Sequence, residues 1–336
     1  MRGITIREVA QLAGVSQATA ARALNGYGSV SEETMRRVTT AAGQLGYTPN
    51  SVAQALRRGQ SQLIGFVPSD LQNPFFSTVA RNVADRVEAA GYTLLISSSD
   101  EDINREQRIV ENLRATLVSG IMVAPALGAN KSHLIELGKR KIPLVLIDRE
   151  IAGLHADVVK TENVDGSRAA VDHLLDRGHR RIALLIDDLR IPSSAERLAG
   201  YRTALGARGF SVDESLVIST RSAARADCYQ AAHELLTRSE TPTAIFAGDN
   251  YLTLSVVRVA HDLGLSIPDQ LSLVGFDDFD FAAALRPALT VVAQPVAELG
   301  CAAAELMLKR LAGDSSPAIE ISLPTTLIER GSTSTV

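Results

Sequence analysis

From Gln62 to the C-terminus, short apolar runs alternate with helical stretches, and this rhythm limits the possible folds more than any other feature of the chain. The runs LIGFVP, TLLIS, IMVAPA, PLVLID, RIALLI, TAIFAG and LSLVGF are apolar almost throughout, and helical stretches such as 76–90 and 164–177 separate them. A strand with one face in water alternates apolar and polar residues. A strand apolar along its length is covered on both faces, as in a parallel sheet with crossover helices. The alternating part of this 336-residue chain exceeds one comfortable doubly wound sheet, so two similar lobes are expected. Ligands of such sheets bind beyond the carboxyl ends of the strands, and the polar residues of interest cluster there.

The first 60 residues read as helices only. Thr5 with Glu8 forms a capping-box start, and Ile6, Val9, Ala10 and Ala13 make an apolar face at helical spacing. Gly14 breaks this helix, and Ser16 is placed to cap a second helix running to about Leu24. Beyond Gly26 and Gly28, Ser31 can cap a third helix with Glu32 and Glu33 in its first turn and a Val38, Ala42, Leu45 core face before Gly46. The charge is uneven: residues 1–60 hold seven arginines and three glutamates, a net of +4, whereas the whole chain carries −4. A basic head on an acidic body suggests a polyanion as partner of the head alone.

Thr5–Asn25 (TIREVAQLAGVSQATAARALN) meets the packing needs of a helix-turn-helix. Ala10 lets two helices approach, Gly14 permits the turn, Val15 fills the wedge, and Ala20 packs the second helix on the first. The outer face of the second helix then offers Gln17, Ala18, Ala21 and Arg22. Arginine suits guanine and glutamine suits adenine. A helical hairpin used for packing or dimerisation is the alternative. The segment PNSVAQALRRG follows, in which Asn50 could cap one or two turns containing Val52, Ala53 and Leu56. An isolated helix below about 12–15 residues is marginal in water, so it needs a partner to order.

TIREVAQLAGVS, VSEETMRRV, LGYTPNSVAQALR, NPFF, IDRE, RGHRRIALL, RLAGY and LVGFDD together resemble the lac repressor (LacI/GalR) family of bacterial regulators over essentially the whole chain. The resemblance implies an all-α helix-turn-helix head on an α/β, periplasmic-binding-protein-like body of two doubly wound parallel-sheet lobes. The expected division is a head at 1–48, a hinge at 49–61 and an effector-binding and dimerisation body at 62–336. Its N-lobe takes about 62–161 and 293–323, its C-lobe about 162–292 and 324–336. By resemblance Gln17, Ala18 and Arg22 face base edges in the major groove, and Ser16, Thr19 and Asn25 lie near the DNA backbone. Leu56, from a hinge helix containing Ala53, is the wedge entering the minor groove of a palindromic operator bound by a homodimer. Thr5 and Asn50 complete the expected DNA-facing set. Ala20 and Ala21 depart from the bulky aliphatic and serine common at these positions, and Ala21 is given no site role.

In the body, Phe75 and Phe76 follow Asn73-Pro74 just past the first strand, where aromatic faces can stack on a sugar; ordinary core is the other reading. Asp148 and Arg149 end the strand PLVLID and could clamp vicinal hydroxyls, or form a strand-end ion pair. The resemblance puts Arg197, Asp249, Asn250, Phe276, Asp277 and Gln294 around the effector as well, with the Asp249-Asn250 order reversed from the common one. Asp70, Asp278 and Asp280 read as surface or capping residues. Ile191 and Pro192 stand where purine-responsive members carry a base-contacting arginine, which speaks against a purine, and the Asp148-Arg149 strand end with paired Phe looks more like the pocket of a pentose or related monosaccharide.

Enzyme readings find little support. Gly26-x-Gly28 lacks a third glycine and follows a helix, and no G-x-S-x-G elbow, Walker loop or H-E-x-x-H motif occurs. The six histidines are scattered, with His173 and His179 expected to be structural, and Cys228 and Cys301 are expected to be buried thiols. No metal or cofactor is expected. An exported sugar-binding protein fits the body but not the charged N-terminus MRGITIREVAQ. No apolar run reaches the roughly 18 residues of a membrane span. The expectation is a cytoplasmic repressor, dimeric and without terminal leucine heptads for a tetramer.

Overall fold

The computed structural model describes residues 4–25, 29–47, 60–128, 130–221 and 225–336. The hinge expectation, with Asn50, Ala53 and Leu56, lies outside the described residues. The chain divides into two compact units, residues 1–62 with 116–118, and residues 63–115 with 119–336.

In the first unit α1 (Ile6–Ala13), α2 (Gln17–Asn25) and α3 (Glu32–Leu45) enclose a small core of Val9, Ala10, Ala13, Ala20, Ala23, Val38, Ala41 and Ala42. The Thr5 amide and hydroxyl both donate to the Glu8 carboxylate, at 2.7 and 2.8 Å. At the turn Gly14 takes φ +63°, a left-handed conformation that glycine enters at little cost. Arg37 of α3 clamps the same corner by donating from Nη2 to the carbonyls of Ala13 (2.5 Å) and Gly14 (3.2 Å). These carbonyls are among those a helix end leaves without partners. Ser31 accepts from the Thr34 amide, and Gly46 ends α3 at φ +64°.

The second unit carries two six-stranded sheets. The N-lobe strands are β1 (Leu63–Val67), β2 (Thr93–Ile96), β3 (Gly120–Val123), β4 (Leu144–Ile147), β5 (Asp157–Thr161) and β11 (Glu320–Leu323). They lie in the order β11-β5-β4-β3-β1-β2 and are parallel throughout. The C-lobe strands are β6 (Ile182–Ile186), β7 (Val217–Ser219), β8 (Ala244–Ala247), β9 (Ser272–Phe276), β10 (Thr290–Ala293) and β12 (Thr326–Ile328). They repeat the same order as β12-β10-β9-β8-β6-β7, with only the edge strand β12 antiparallel.

The helices of this unit are α4 (Pro74–Ala89), α5 (Ile103–Ala115), α6 (Ser132–Lys139), α7 (Asn163–Asp176), α8 (Pro192–Ala207), α9 (Arg225–Leu236), α10 (Asn250–Asp262), α11 (Asp280–Ala284) and α12 (Val296–Leu311). The chain passes between the lobes after β5, β10 and β11. So α7 packs on α8 in the C-lobe, and α12 packs on α4 in the N-lobe. Separate apolar cores fill each lobe, including Ile64, Phe66, Val83 and Met307 in one and Leu185, Phe246, Val256 and Phe276 in the other.

β5 carries Asp157 and Lys160, which hid it among the apolar runs. Burial of Asp157 is balanced by two hydrogen bonds from Arg310 (2.7 Å each) and one from the Ile319 amide (2.8 Å). Cys228 is buried as expected, but Cys301 is only half-buried. His173 and His179 are buried and bond Thr333, Thr243 and the Ser334 carbonyl. No described helix is long and apolar enough to cross a membrane.

Candidate functional site

Two surfaces draw the candidate residues together, one on each unit. On α2, Ser16 sits before the first turn, and its hydroxyl accepts from the Thr19 amide (3.0 Å) and bonds the Thr19 hydroxyl (2.8 Å). Ala20 and Ala23 point into the core, which turns Gln17, Ala18 and Arg22 outward, all exposed. Arg22 Nε reaches back to the Ala18 carbonyl at 3.4 Å, leaving the guanidinium along the exposed face. The turn thus presents the face expected to read bases, and Asn25 ends the same helix.

The second surface is the cleft between the lobes. It is bordered by residues beyond the carboxyl ends of strands in both sheets, where ligands of such sheets bind. Asn73, Phe75, Phe76, Asp148 and Arg149 border it from the N-lobe, and Arg197, Asp249, Asp277 and Gln294 from the C-lobe side. Phe75 and Phe76 serve both readings: they border the cleft and are also core, 7% and 4% exposed, packed edge to face at 4.9 Å. Asn250 and Phe276 stand outside the cleft wall. Asn250 spends its amide on Asn73 Oδ1 (2.7 Å), and the Phe276 ring supports the Arg197 guanidinium from 3.7 Å.

Asp148 and Asp277 occupy equivalent places after β4 and β9. Both are non-glycine residues in the left-handed region, at φ +69° and +77°. Each amide closes onto the neighbouring strand, at Val159 and Val292 (2.9 Å each), so each carboxylate is swung off its sheet into the cleft. Burial pushes the Asp277 carboxyl above its ordinary value, against the pull of Arg197 and of the hydrogen bond from Gln294 Nε2 (2.5 Å). Gln294 in turn accepts from the Thr161 hydroxyl (2.6 Å). Arg197 is fixed by Asn163 Oδ1 (2.8 Å) and the Gly248 carbonyl (2.6 Å). Burial disfavours the charge on Arg149, but Glu101 and Asp148 outweigh it and hold this guanidinium above its ordinary value. The hydroxyl clamp expected of Asp148 and Arg149 is, in this state, a strand-end ion pair (3.2 Å) extended to Glu101 (2.6 Å).

Ser69, Glu101, Asp187, Ser193, Ser194 and Tyr251 stand on the cleft wall without having been expected there, and so does Asp70, expected as a surface or capping residue. Asp70 does cap its turn, accepting from the Gln72 amide (2.8 Å), but its other oxygen accepts from the Tyr251 hydroxyl across the cleft (2.9 Å). Asn73–Asn250 and Gln72–Arg225 (3.1 Å) also bridge the lobes. One signal was available. SDLQNP after β1 and DDLRIP after β6 are the same turn in the two lobes: Asp188 accepts from the Arg190 amide (3.0 Å) as Asp70 does from Gln72. Asp278 and Asp280 agree with their reading, the former paired with Arg330 (2.8 Å) and the latter opening α11.

The comparisons with known proteins agree with this architecture. Residues 5–50 match the model of bacterial regulatory proteins of the lacI family, and 171–333 match a periplasmic binding protein-like domain. The HTH-type transcriptional regulator DegA of Bacillus subtilis (strain 168) is 34% identical over 332 residues, covering 98% of each chain. The lac repressor dimer bound to operator and the anti-inducer ONPF superposes with a TM-score of 0.86 at 27% identity, over 99% of this chain and 100% of that one. A LacI family transcriptional regulator from Enterococcus faecium with bound ribose gives 0.73 at 29%, over 82% and 99%. The chain belongs to the lacI family of bacterial regulatory proteins and is a DNA-binding transcriptional regulator.

Proposed function

We propose that this regulator is a repressor whose hold on a palindromic operator is released when a small sugar, a pentose or related monosaccharide, occupies the interlobe cleft. The observation that carries the reading is the meeting of Asp148 and Asp277, thrown inward from equivalent strand ends, with two phenylalanines on the wall. Directional acceptors over an apolar floor are what a polyol needs: hydroxyls bond the carboxylates, and C–H faces lie on the rings. The ribose held by the Enterococcus faecium relative supports the pentose reading. Two heads of a homodimer would read half-sites through Gln17, Ala18 and Arg22. Ser16, Thr19 and Asn25 would steady the backbone, and Leu56 would wedge the central step open from the hinge. The three passages between the lobes let sugar closure turn one lobe against the other, and we assign release to that motion. A body of this kind without catalytic motifs acts by binding and not by chemistry.

The experiment is operator selection from random DNA by the full chain, at fixed salt because phosphate contacts dominate affinity, repeated with each monosaccharide of a panel. Arg22→Ala should relax base preference, while Leu56→Ala should weaken specific binding sharply; equal loss on random DNA from both contradicts the assignment. Calorimetry on the same panel tests the cleft, and a response to a nucleobase with none to any monosaccharide would sink the sugar reading.

A further inference from the structure

Within the reading of the cleft as a sugar site, the hydrogen bonding of Arg149 narrows the class of sugar. Its Nε donates to Asp148 Oδ2 (3.2 Å), Nη1 to Glu101 Oε2 and the Pro125 carbonyl (3.0 Å each), and Nη2 to Glu101 Oε1 (2.6 Å) and Ser69 Oγ (3.5 Å). That assigns an acceptor to every donor a guanidinium has. The fork that would take a carboxylate or phosphate in two parallel bonds is already filled by Glu101. The pair is little screened, with side chains 7% and 20% exposed.

Glu101 is held there by a built loop. Asp100 and Glu101 are consecutive non-glycine residues at φ +51° and +57°, a conformation that persists only where its surroundings over-determine it. The Glu101 amide donates to the Ser69 carbonyl (3.0 Å), Ser98 Oγ donates to Asp100 (2.5 Å), and Arg105 pairs with Asp100. The other cleft guanidinium, Arg197, lies beside Asp277. Asp70, Asp187 and Asp249 add three more carboxylates to the wall.

We propose that the cleft selects uncharged sugars over sugar acids and sugar phosphates, and that Glu101 sets this selectivity by occupying the Arg149 fork. An anionic group entering the cleft meets an excess of carboxylates and no vacant guanidinium fork on Arg149, and like charges set together at an interface are strongly disfavoured. Glu101 acts here as a positioning residue: it determines what Arg149 can accept.

The test is calorimetry on the full chain with ribose, xylose and arabinose, each against its aldonate, and with ribose 5-phosphate, at constant ionic strength. The wild-type chain should bind at least one free sugar, with its aldonate and the phosphate weaker by at least about tenfold. Glu101→Gln should raise the aldonate-to-sugar affinity ratio by at least about tenfold, and Glu101→Asp should return it toward wild type. A wild-type chain that prefers an aldonate or the phosphate overturns the charge selection while leaving the sugar reading standing. One that binds none of the panel overturns the charge selection and the pentose reading together. A Glu101→Gln variant that melts like wild type with an unchanged ratio overturns the part given to Glu101. If that variant does not fold, the Glu101→Asp and wild-type ratios decide: equal affinity for sugar and aldonate in either overturns the proposal.

Discussion

Asp277 is a cleft carboxyl on which burial and its neighbours act in opposite directions. Burial raises its carboxyl above the ordinary 3.8 while Arg197 and Gln294 pull the other way. A carboxyl with a raised folded value contributes stability that is full below 3.8 and is lost as pH rises through the folded value. Asp277→Asn keeps an oxygen for Gln294 Nε2 but cannot ionise, so it should flatten the pH dependence of stability in the window above 3.8. Urea midpoints stepped through that window check this, and an unaltered slope contradicts it. Asp148 and Asp277 were legible in the sequence because each directly follows an apolar strand, where a side chain has little choice but to face the ligand end of its sheet. Glu101 was not. It lies in the polar run SSSDEDINRE, where nothing local marks which carboxylate turns inward, and its orientation depends on Arg149, far along the chain.

Where α7 packs on α8, glycine decides how close the two helices come. A Cβ built on Gly200 would lie 2.3 Å from the Val164 carbonyl oxygen, a backbone atom that cannot swing away, whereas one on Gly206 of the same helix meets nothing within 4 Å. Gly200→Ala should destabilise the body by about 1–3 kcal/mol, and Gly206→Ala should stabilise it by up to about 1 kcal/mol. Denaturant midpoints that move alike for the two would refute the packing account. At the C-terminus, burial lowers His173 and His179 below the ordinary 6.5. A base with a lowered folded value contributes stability that is full above 6.5 and is lost as pH falls below 6.5 through the folded value. Both hold the last residues, so the Val336 amide, which donates to Arg177 (3.0 Å), should lose hydrogen-exchange protection on acidification through 6.5, and His179→Gln should reduce that loss. Equal protection factors on both sides of 6.5 would contradict this. The helical head and the long apolar strands were readable from periodicity and caps alone. β5 was not, because its charge is neutralised by Arg310 from another element, and neither was the three-residue strand β7, too short to show a period.

At the scale of the molecule, one chain supplies a helix-turn-helix face and a two-lobed cleft, and we propose that the second governs the first. The two lobes repeat one strand order and exchange the helices α7 and α12, and they are joined by covalent crossings and the bonds Asn73–Asn250 and Asp70–Tyr251. A ligand shifts such an equilibrium only by its differential affinity for the two states. Typical couplings of about 1–3 kcal/mol correspond to roughly 5- to 150-fold in affinity. The most direct measurement is the affinity of the full chain for its selected operator at fixed salt, by fluorescence anisotropy, with and without a sugar shown by calorimetry to bind. Operator binding should weaken by about 5- to 150-fold at saturating sugar; a bound sugar that leaves operator affinity unchanged would contradict control of the head by the cleft.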